Sequence, residues 1–359
     1  MPPGTTGNTT GTTTGTTNGR GPFADEAALE KALARPDDAL RADLAKVPGD
    51  LILLGAGGKM GPSLARLARN AMAAEHKVIA VARFSESGLR DELERDGIET
   101  VKADLLDRDA VAGLPDAANV MFMAGRKFGS SGAEHLTWAM NALCPALVAE
   151  RYAAARIVAF STGCVYPFWP VDAAGGPTED VAPNPPPGDY AWSCVARERM
   201  FEHMSVTHDT PGRLFRLNYA IDLRYGVLHD LARKVLAGEP VDVTMGHVTV
   251  IWQRDANARA LRSLALTTTP TSPINVSGPE VVSVRAIAEA FAGRFGKTAQ
   301  ITGKEAPTAW LNDASASIEA FGPLTVSLED MIDWQADWLL RGGRSLGKPT
   351  HFEARDGKY

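Results

Sequence analysis

Four consecutive apolar residues run directly into a glycine-punctuated turn, Leu51-Ile52-Leu53-Leu54-Gly55-Ala56-Gly57-Gly58-Lys59-Met60-Gly61, and few folds accommodate that junction. A short run of this kind suits a strand buried on both faces. The turn must be sharp, because a helical pattern begins at once and covers residues 61–75. Glycines at 55, 58 and 61 let the backbone approach a ligand and let the helix pack close to the strand. The helix mouth then offers backbone N–H groups and a positive dipole end, which together attract a diphosphate. Taken alone, the glycines also fit a plain strand-to-helix connector.

The first half of the chain alternates in the same way. Strands are expected at 78–82, 100–103, 120–123 and 156–160, with helices at 86–96 and 133–152. That alternation implies an α/β chain built as a Rossmann doubly wound parallel sheet, with a smaller C-terminal substrate-binding lobe. Further helices are expected near 190–205, 226–237, 254–265, 283–295 and 327–340. Ahead of the first strand, residues 25–46 read as two short helices broken at Pro36, capped by Asp25 and by Asp37 or Asp38. Residues 1–22 are Thr/Gly-rich and too poor in apolar side chains to offset the entropy of ordering, so a disordered tail is expected. The chain then divides into a helical segment 23–48, an NAD(P)-binding domain 49–215, a mainly substrate-binding lobe 216–345 with some elements returning to the sheet, and a C-terminal tail 346–359.

A net charge of −6 argues against a general basic face for nucleic acid. No apolar run approaches the ~18 residues of a membrane span, and the start lacks the pattern of a secretory signal. Cys144, Cys164 and Cys194 form no CxxC pair, and an odd count is a poor disulfide framework. A reducing, cytoplasmic setting is the simpler expectation, with a Cys164–Cys194 bond as the alternative. No pair of histidines has ligand spacing, so no metal is expected.

The second strand ends in Val81-Ala82-Arg83-Phe84, without the acid that dinucleotide folds often place there for the ribose hydroxyls. Arg83 would suit a 2′-phosphate, which inclines the NAD(P) expectation toward NADP. Further on, the fifth strand runs into Ser161-Thr162-Gly163-Cys164-Val165-Tyr166-Pro167, and Tyr190-Ala191-Trp192-Ser193-Cys194-Val195-Ala196-Arg197-Glu198 follows. With these stretches the chain resembles the extended short-chain dehydrogenase/reductases, the NAD-dependent epimerase/dehydratase family, over roughly residues 50–340. Asp104-Leu105, Ala124-Gly125, Asn141, Arg216-Leu217-Asn218 and Asn275-Val276-Ser277-Gly278-Pro279-Glu280 add to the resemblance.

The resemblance implies a cofactor held by Gly55, Gly57, Gly58, Lys59, Met60, Gly61, Arg83, Asp104, Leu105, Ala124, Gly125 and Tyr190. It implies Thr162 as a donor to a substrate oxygen and Tyr190 as the acid/base that exchanges a proton with it. Lys127, Thr162, Asn218 and Arg224 are candidate substrate contacts, and the loop 126–132 is a candidate cover for the substrate. A homodimer through the helices at 133–152 and 190–205 is also implied.

One departure stands out. The family places a lysine four residues after the tyrosine, where its charge lowers the tyrosine pKa; here that position is Cys194. Either another cation substitutes (Arg197, Arg126 or Lys127), or Cys194 itself takes part in catalysis, or the protein does little redox chemistry. Asn218-Tyr219-Ala220 also lacks the Asn-x-x-Gly-Pro of many nucleotide-sugar binders. The expected function is an NAD(P)-dependent oxidoreductase or epimerase acting on a hydroxyl or ketone of a sugar, sugar acid or nucleotide sugar. A non-catalytic cofactor-binding protein and a lyase or dehydratase are the alternatives.

Overall fold

The computed structural model describes residues 23–357 apart from 128, 130, 131 and 174. The expected tail 1–22 therefore lies outside the described residues, as does part of the loop 126–132.

The sheet strands are β1 (Leu51–Leu54), β2 (Val78–Ala82), β3 (Glu99–Lys102), β4 (Asn119–Phe122), β5 (Arg156–Thr162), β6 (Gly212–Leu217) and β7 (Ser272–Val276). They lie in the order β7-β6-β5-β4-β1-β2-β3, and every pairing is parallel. Chain direction through the sheet reverses between β1 and β4. Ligands bind open α/β sheets at the carboxyl end of such a switch point. Leu54 pairs with Phe122, so the glycine turn and the segment 123–127 leave the sheet side by side.

The β1 tetrapeptide is wholly buried, as its composition predicts. Leu51 and Leu53 pack on one face with Leu64, Leu67 and Ala68, while Ile52 and Leu54 pack on the other with Val148 and Phe201. The helices covering the sheet include α1 (Glu26–Leu33), α2 (Asp38–Leu44), α3 (Gly61–Ala71), α4 (Leu89–Arg95) and α5 (Arg108–Ala112). Asp25 caps α1 and Asp37 caps α2, as the sequence predicts. The helix expected at 133–152 is interrupted. It comprises α6 (Glu134–Trp138), a π-turn at Ala139–Leu143 and α7 (Cys144–Arg151). A long helix α8 (Asp189–His208) runs beside it.

The second lobe packs α9 (Val227–Ala237), α10 (Gln253–Arg262), α11 (Val284–Phe295), α12 (Ser315–Phe321) and α13 (Leu328–Leu340) around the sheet edge and a core of its own. Phe23, Leu29 and Leu33 belong to that core, whereas Leu40, Leu44 and Val47 pack with Leu51, Leu53 and Leu64 against the sheet. The C-terminal residues 344–357 do not trail away either. Leu346 donates its amide to the Arg224 carbonyl, and Phe352 is only 3% exposed.

Candidate cofactor cleft and active site

A cleft of about 230 Å³ opens at the carboxyl edge of the sheet, lined by Gly55, Gly57 and Gly58 on one side and by Ala124 and Gly125 on the other. Backbone makes up both walls because side chains do not fit. Gly55 has φ +95°, and a Cβ there would stand 2.6 Å from the Ala124 nitrogen. A Cβ at Gly61 would drive into the Ala56 carbonyl. The mouth of α3 has no side-chain cap, so the chain itself does not occupy the N–H groups there with a side-chain acceptor. Arg83, Asp104 and Leu105 complete the far wall. These features fit a dinucleotide, with its diphosphate at the helix mouth.

Glu86 was not singled out in the sequence, yet it lines the same cleft as Arg83. It comes from the loop after β2 rather than from the strand end where an acid is usually sought. Phe84, at φ +47°, turns the chain between the two.

Two residues of the glycine turn serve the protein rather than the cleft. Lys59 reaches toward the second lobe, donating to the Ala220 carbonyl at 2.9 Å and lying 4.1 Å from the Tyr225 ring centroid. Burial pushes its pKa down to about 8. Met60 packs against the core beside α3. Only their backbone can face a cofactor.

Beyond β4 and β5 the candidate active site assembles on α8. The Tyr190 phenol faces the Thr162 side chain and the Cys194 thiol, each near enough to influence its ionisation. Thr162 Oγ1 also accepts the Cys164 amide at 3.1 Å, so the strand-end cap and the contact with Tyr190 coexist. Burial holds the phenol well above its ordinary pKa, with Cys194 and Cys164 adding to the shift and Arg197 opposing it. Burial likewise pushes the Cys194 thiol up to about 11, so at neutral pH it is a neutral neighbour and not a thiolate base. Cys144, Cys164 and Cys194 are all free, which sets aside a Cys164–Cys194 bond.

The floor of the site is a buried polar network. Asn141, within the π-turn, accepts from the Arg126 amide at 2.8 Å and from Arg197 at 2.7 Å, and donates to the Arg126 carbonyl and Ser193 Oγ, each at 2.9 Å. Ser193 in turn donates to the Tyr190 carbonyl at 2.8 Å. Asn141 thus fixes the β4 exit loop relative to the helix that bears Tyr190. Arg197 donates to the Phe160 carbonyl at 2.8 Å and is 7% exposed. Among the described residues no carboxylate pairs with it. Gly125 sits directly above, where a Cβ would come within 2.5 Å of the guanidinium.

Beside this lies a buried ion pair. Glu198 accepts from Arg216 at 2.7 and 3.0 Å and from Ser161 Oγ at 2.5 Å. Arg216 continues to Tyr166 at 2.6 Å, and Tyr166 to Asn275 at 2.9 Å. Burial works against the Arg216 charge, but Glu198 and Tyr166 more than offset it and hold its pKa above the ordinary value. The late Asn275 motif and Arg216-Leu217-Asn218 are therefore parts of the scaffold that joins β5, β6, β7 and α8.

Two expected substrate contacts are engaged within the protein. Arg224 pairs with Asp222 at 2.7 Å and also with Glu26 and Glu30, so it ties α1 to the second lobe. Asn218 is 3% exposed, and its amide nitrogen donates to Thr249 and to the Trp310 carbonyl. Tyr219, beside it, was missed. It has φ +34° and lies within electrostatic reach of Cys164 and Glu353. Lys127 does reach the site, with Nζ 5.8 Å from the Tyr190 ring centroid. Among the described residues no group of three or more His, Cys, Asp or Glu is placed to hold a metal, and no helix is long and apolar enough to cross a membrane.

Comparison with known proteins agrees with this architecture. The fold matches UDP-glucuronic acid 4-epimerase from Bacillus cereus in complex with NAD at a TM-score of 0.68 and 18% identity, covering 81% of this chain and 96% of that one. It matches UDP-glucose 4-epimerase from Thermotoga maritima with UDP-glucose at 0.66 and 15%, covering 82% and 99%. UDP-glucose 4-epimerase from Thermus thermophilus in complex with NAD matches at 0.65 and 19%, covering 80% and 98%. No curated protein matches the chain. The sequence model described as the NAD dependent epimerase/dehydratase family matches residues 51–254, which takes in the glycine turn, Thr162 and Tyr190. The chain belongs to the NAD-dependent epimerase/dehydratase family.

Proposed function

We propose that the protein is an NAD(P)-dependent epimerase or oxidoreductase acting at a hydroxyl or ketone of a sugar or nucleotide sugar. One observation carries the reading: a phenol, Tyr190, set against the Thr162 side chain on the same side of the sheet as a backbone-walled dinucleotide cleft. When bound, the nicotinamide supplies a hydride acceptor. The protein's own part is proton handling and positioning. Thr162 orients the substrate oxygen; Tyr190 Oη, once ionised, takes the proton from that hydroxyl, and as the phenol it returns a proton to the ketone oxygen. The family relationship and the structural neighbours, a UDP-glucuronic acid 4-epimerase in complex with NAD and a UDP-glucose 4-epimerase with UDP-glucose, support the same reading. The test is binding of NAD and NADP to the purified chain, followed by turnover of UDP-glucose, UDP-glucuronic acid and free sugars. Absence of binding by either dinucleotide would overturn the reading.

The neutral Cys194 thiol favours a second reading, in which the protein binds the dinucleotide and turns over little. Tight binding with no turnover on that panel is its signature.

The lean toward NADP rests on Arg83, the cation on the cleft wall, while Glu86 on the same wall would suit the ribose hydroxyls of NAD. Replacing Arg83 by Ala is expected to weaken NADP by about 10-fold or more, a charge-assisted phosphate contact being worth roughly 1.5–3 kcal/mol. NAD should change by less than about two-fold. Equal losses for both, measured by calorimetry, would exclude a 2′-phosphate role for Arg83.

Dimerisation is proposed through α6, the π-turn and α8. Leu136, Trp138, Leu143 and Trp192 are each about 40% exposed on these neighbouring elements, a concentration of apolar surface typical of an interface. Trp192→Asp should turn a dimer into a monomer in sedimentation; a monomeric parent protein would refute it. Three free buried thiols support a reducing compartment, the cytoplasm.

A further inference from the structure

A half-buried lysine lies against the phenol that the proposed chemistry uses. Lys127 follows the exit of β4, two residues beyond Gly125, and places Nζ 5.8 Å from the Tyr190 ring centroid. The C-terminal segment helps hold it there. Nζ donates to the Thr350 carbonyl at 3.3 Å. Thr350 is itself fixed by the Asp230 carboxylate, which accepts from its amide at 2.8 Å and its hydroxyl at 2.6 Å. Farther along, Arg355 donates to the Thr308 carbonyl at 2.6 Å and lies 4.0 Å from the Phe168 ring centroid. This segment is a built wall of the site.

The two other cations offered by the sequence are engaged differently. Arg126 turns back to the Gly129 carbonyl at 2.7 Å. Arg197 is locked beneath Gly125 on Phe160 and Asn141. Of the three, Lys127 is the one that reaches over the Tyr190 ring.

We propose that Lys127, locked by the C-terminal segment, supplies across space the positive charge that Cys194 cannot supply along the helix, and so acts as a positioning residue for Tyr190. This rests on Tyr190 being the acid/base. At about 6 Å and an effective dielectric near 20, one charge displaces a titration by about two pKa units, or about 100-fold in the ionised fraction. The groups facing this pair are Arg197 and Cys194 on α8, Cys164 after β5, Asp230 on α9 and Glu353 on the C-terminal segment. Burial holds the Lys127 pKa below its ordinary value, while Cys164, Cys194, Glu353 and Asp230 pull it back. Its charge is therefore lost earlier than that of an exposed lysine as pH rises, and the support for a Tyr190 phenolate goes with it.

The test compares the parent chain, Lys127→Met, Lys127→Gln and Lys127→Arg, each full-length and loaded with NAD. Tyrosine ionisation is followed by NMR of ring-labelled tyrosine, with Tyr190→Phe assigning the resonance. Loss of the charge should raise the Tyr190 midpoint in both Lys127→Met and Lys127→Gln, by up to about two units to the extent that Lys127 is still protonated where Tyr190 ionises. Lys127→Arg should restore it. Gln can still donate to the Thr350 carbonyl, so a glutamine variant that titrates like the parent would assign Lys127 to bracing the C-terminal segment and overturn the proposal. Unchanged midpoints, or a Tyr190 that stays protonated throughout the native range in every protein, would overturn it as well. Should Tyr190→Phe prove fully active, the functional reading fails first; should it be inactive while the midpoints do not move, this inference alone falls.

Discussion

Tyr190→Phe is expected to lower kcat by about 10²- to 10⁴-fold, the range for loss of a positioned acid/base. Cofactor affinity should stay within a few-fold. The substitution removes one oxygen from a closely packed site and leaves the ring in place. It removes the phenol oxygen from beside Thr162 and Cys194, but neither is left stranded: Thr162 Oγ1 still accepts the Cys164 amide, and Cys194 is a weak donor at most. The fold should therefore survive, and the loss should fall on kcat rather than KM, because the proton moves only in the chemical step. Steady-state kinetics with UDP-glucose or UDP-glucuronic acid, whichever the parent protein turns over, provides the check. A comparable fall in cofactor binding would mean that the residue shapes the cleft and does not handle a proton.

The second large effect is on stability. Glu198→Ala leaves the Arg216 guanidinium, 3% exposed, without its carboxylate and strips Ser161 of its acceptor. Removing one member of a buried ion pair typically costs about 3–5 kcal/mol, because the remaining charge is stranded away from water. For a chain of this size that corresponds to a fall in Tm on the order of 10 °C. The pair itself need not be strongly stabilising. Replacing both members, Glu198→Leu with Arg216→Met, should recover most of the loss. Thermal unfolding of the single and double variants measures the difference. A Glu198→Ala protein as stable as the parent would show that water or a rearranged neighbour rescues Arg216.

Much of this was legible in the residue order. The apolar tetrapeptide and the glycines after it gave the first strand and the helix mouth, since both depend on local burial and on backbone freedom at Gly55 and Gly61. Asp25 and Asp37 announced their helices for an equally local reason. The failures concern where long side chains point. Lys59 sits in a cofactor-binding motif but extends to Ala220 and Tyr225, a partner more than a hundred and fifty positions away. Arg224 seemed a ligand contact, whereas Asp222, Glu26 and Glu30 claim it, two of them in a segment read as separate from the lobe. Residues 346–357 carry little periodic apolar content, so nothing local revealed that Phe352 would be buried or that Thr350 would brace Lys127. Helix α5 is too short, at five residues, to produce a periodic signal.

The π-turn at Ala139–Leu143 limits how this protein can be altered. A π-turn accommodates one residue more than the same advance of α-helix would, and the surplus leaves Asn141 buried against Arg126, Arg197 and Ser193. Idealising the helix by a single deletion would leave the flanking helices on their bearing but withdraw the surplus that carries Asn141 inward. Asn141 would then swing off its four hydrogen bonds to Arg126, Ser193 and Arg197. Smoothing this stretch for greater helicity would thus disconnect the loop after β4 from the helix bearing the phenol, and the irregularity is the hinge pin that keeps the two in register.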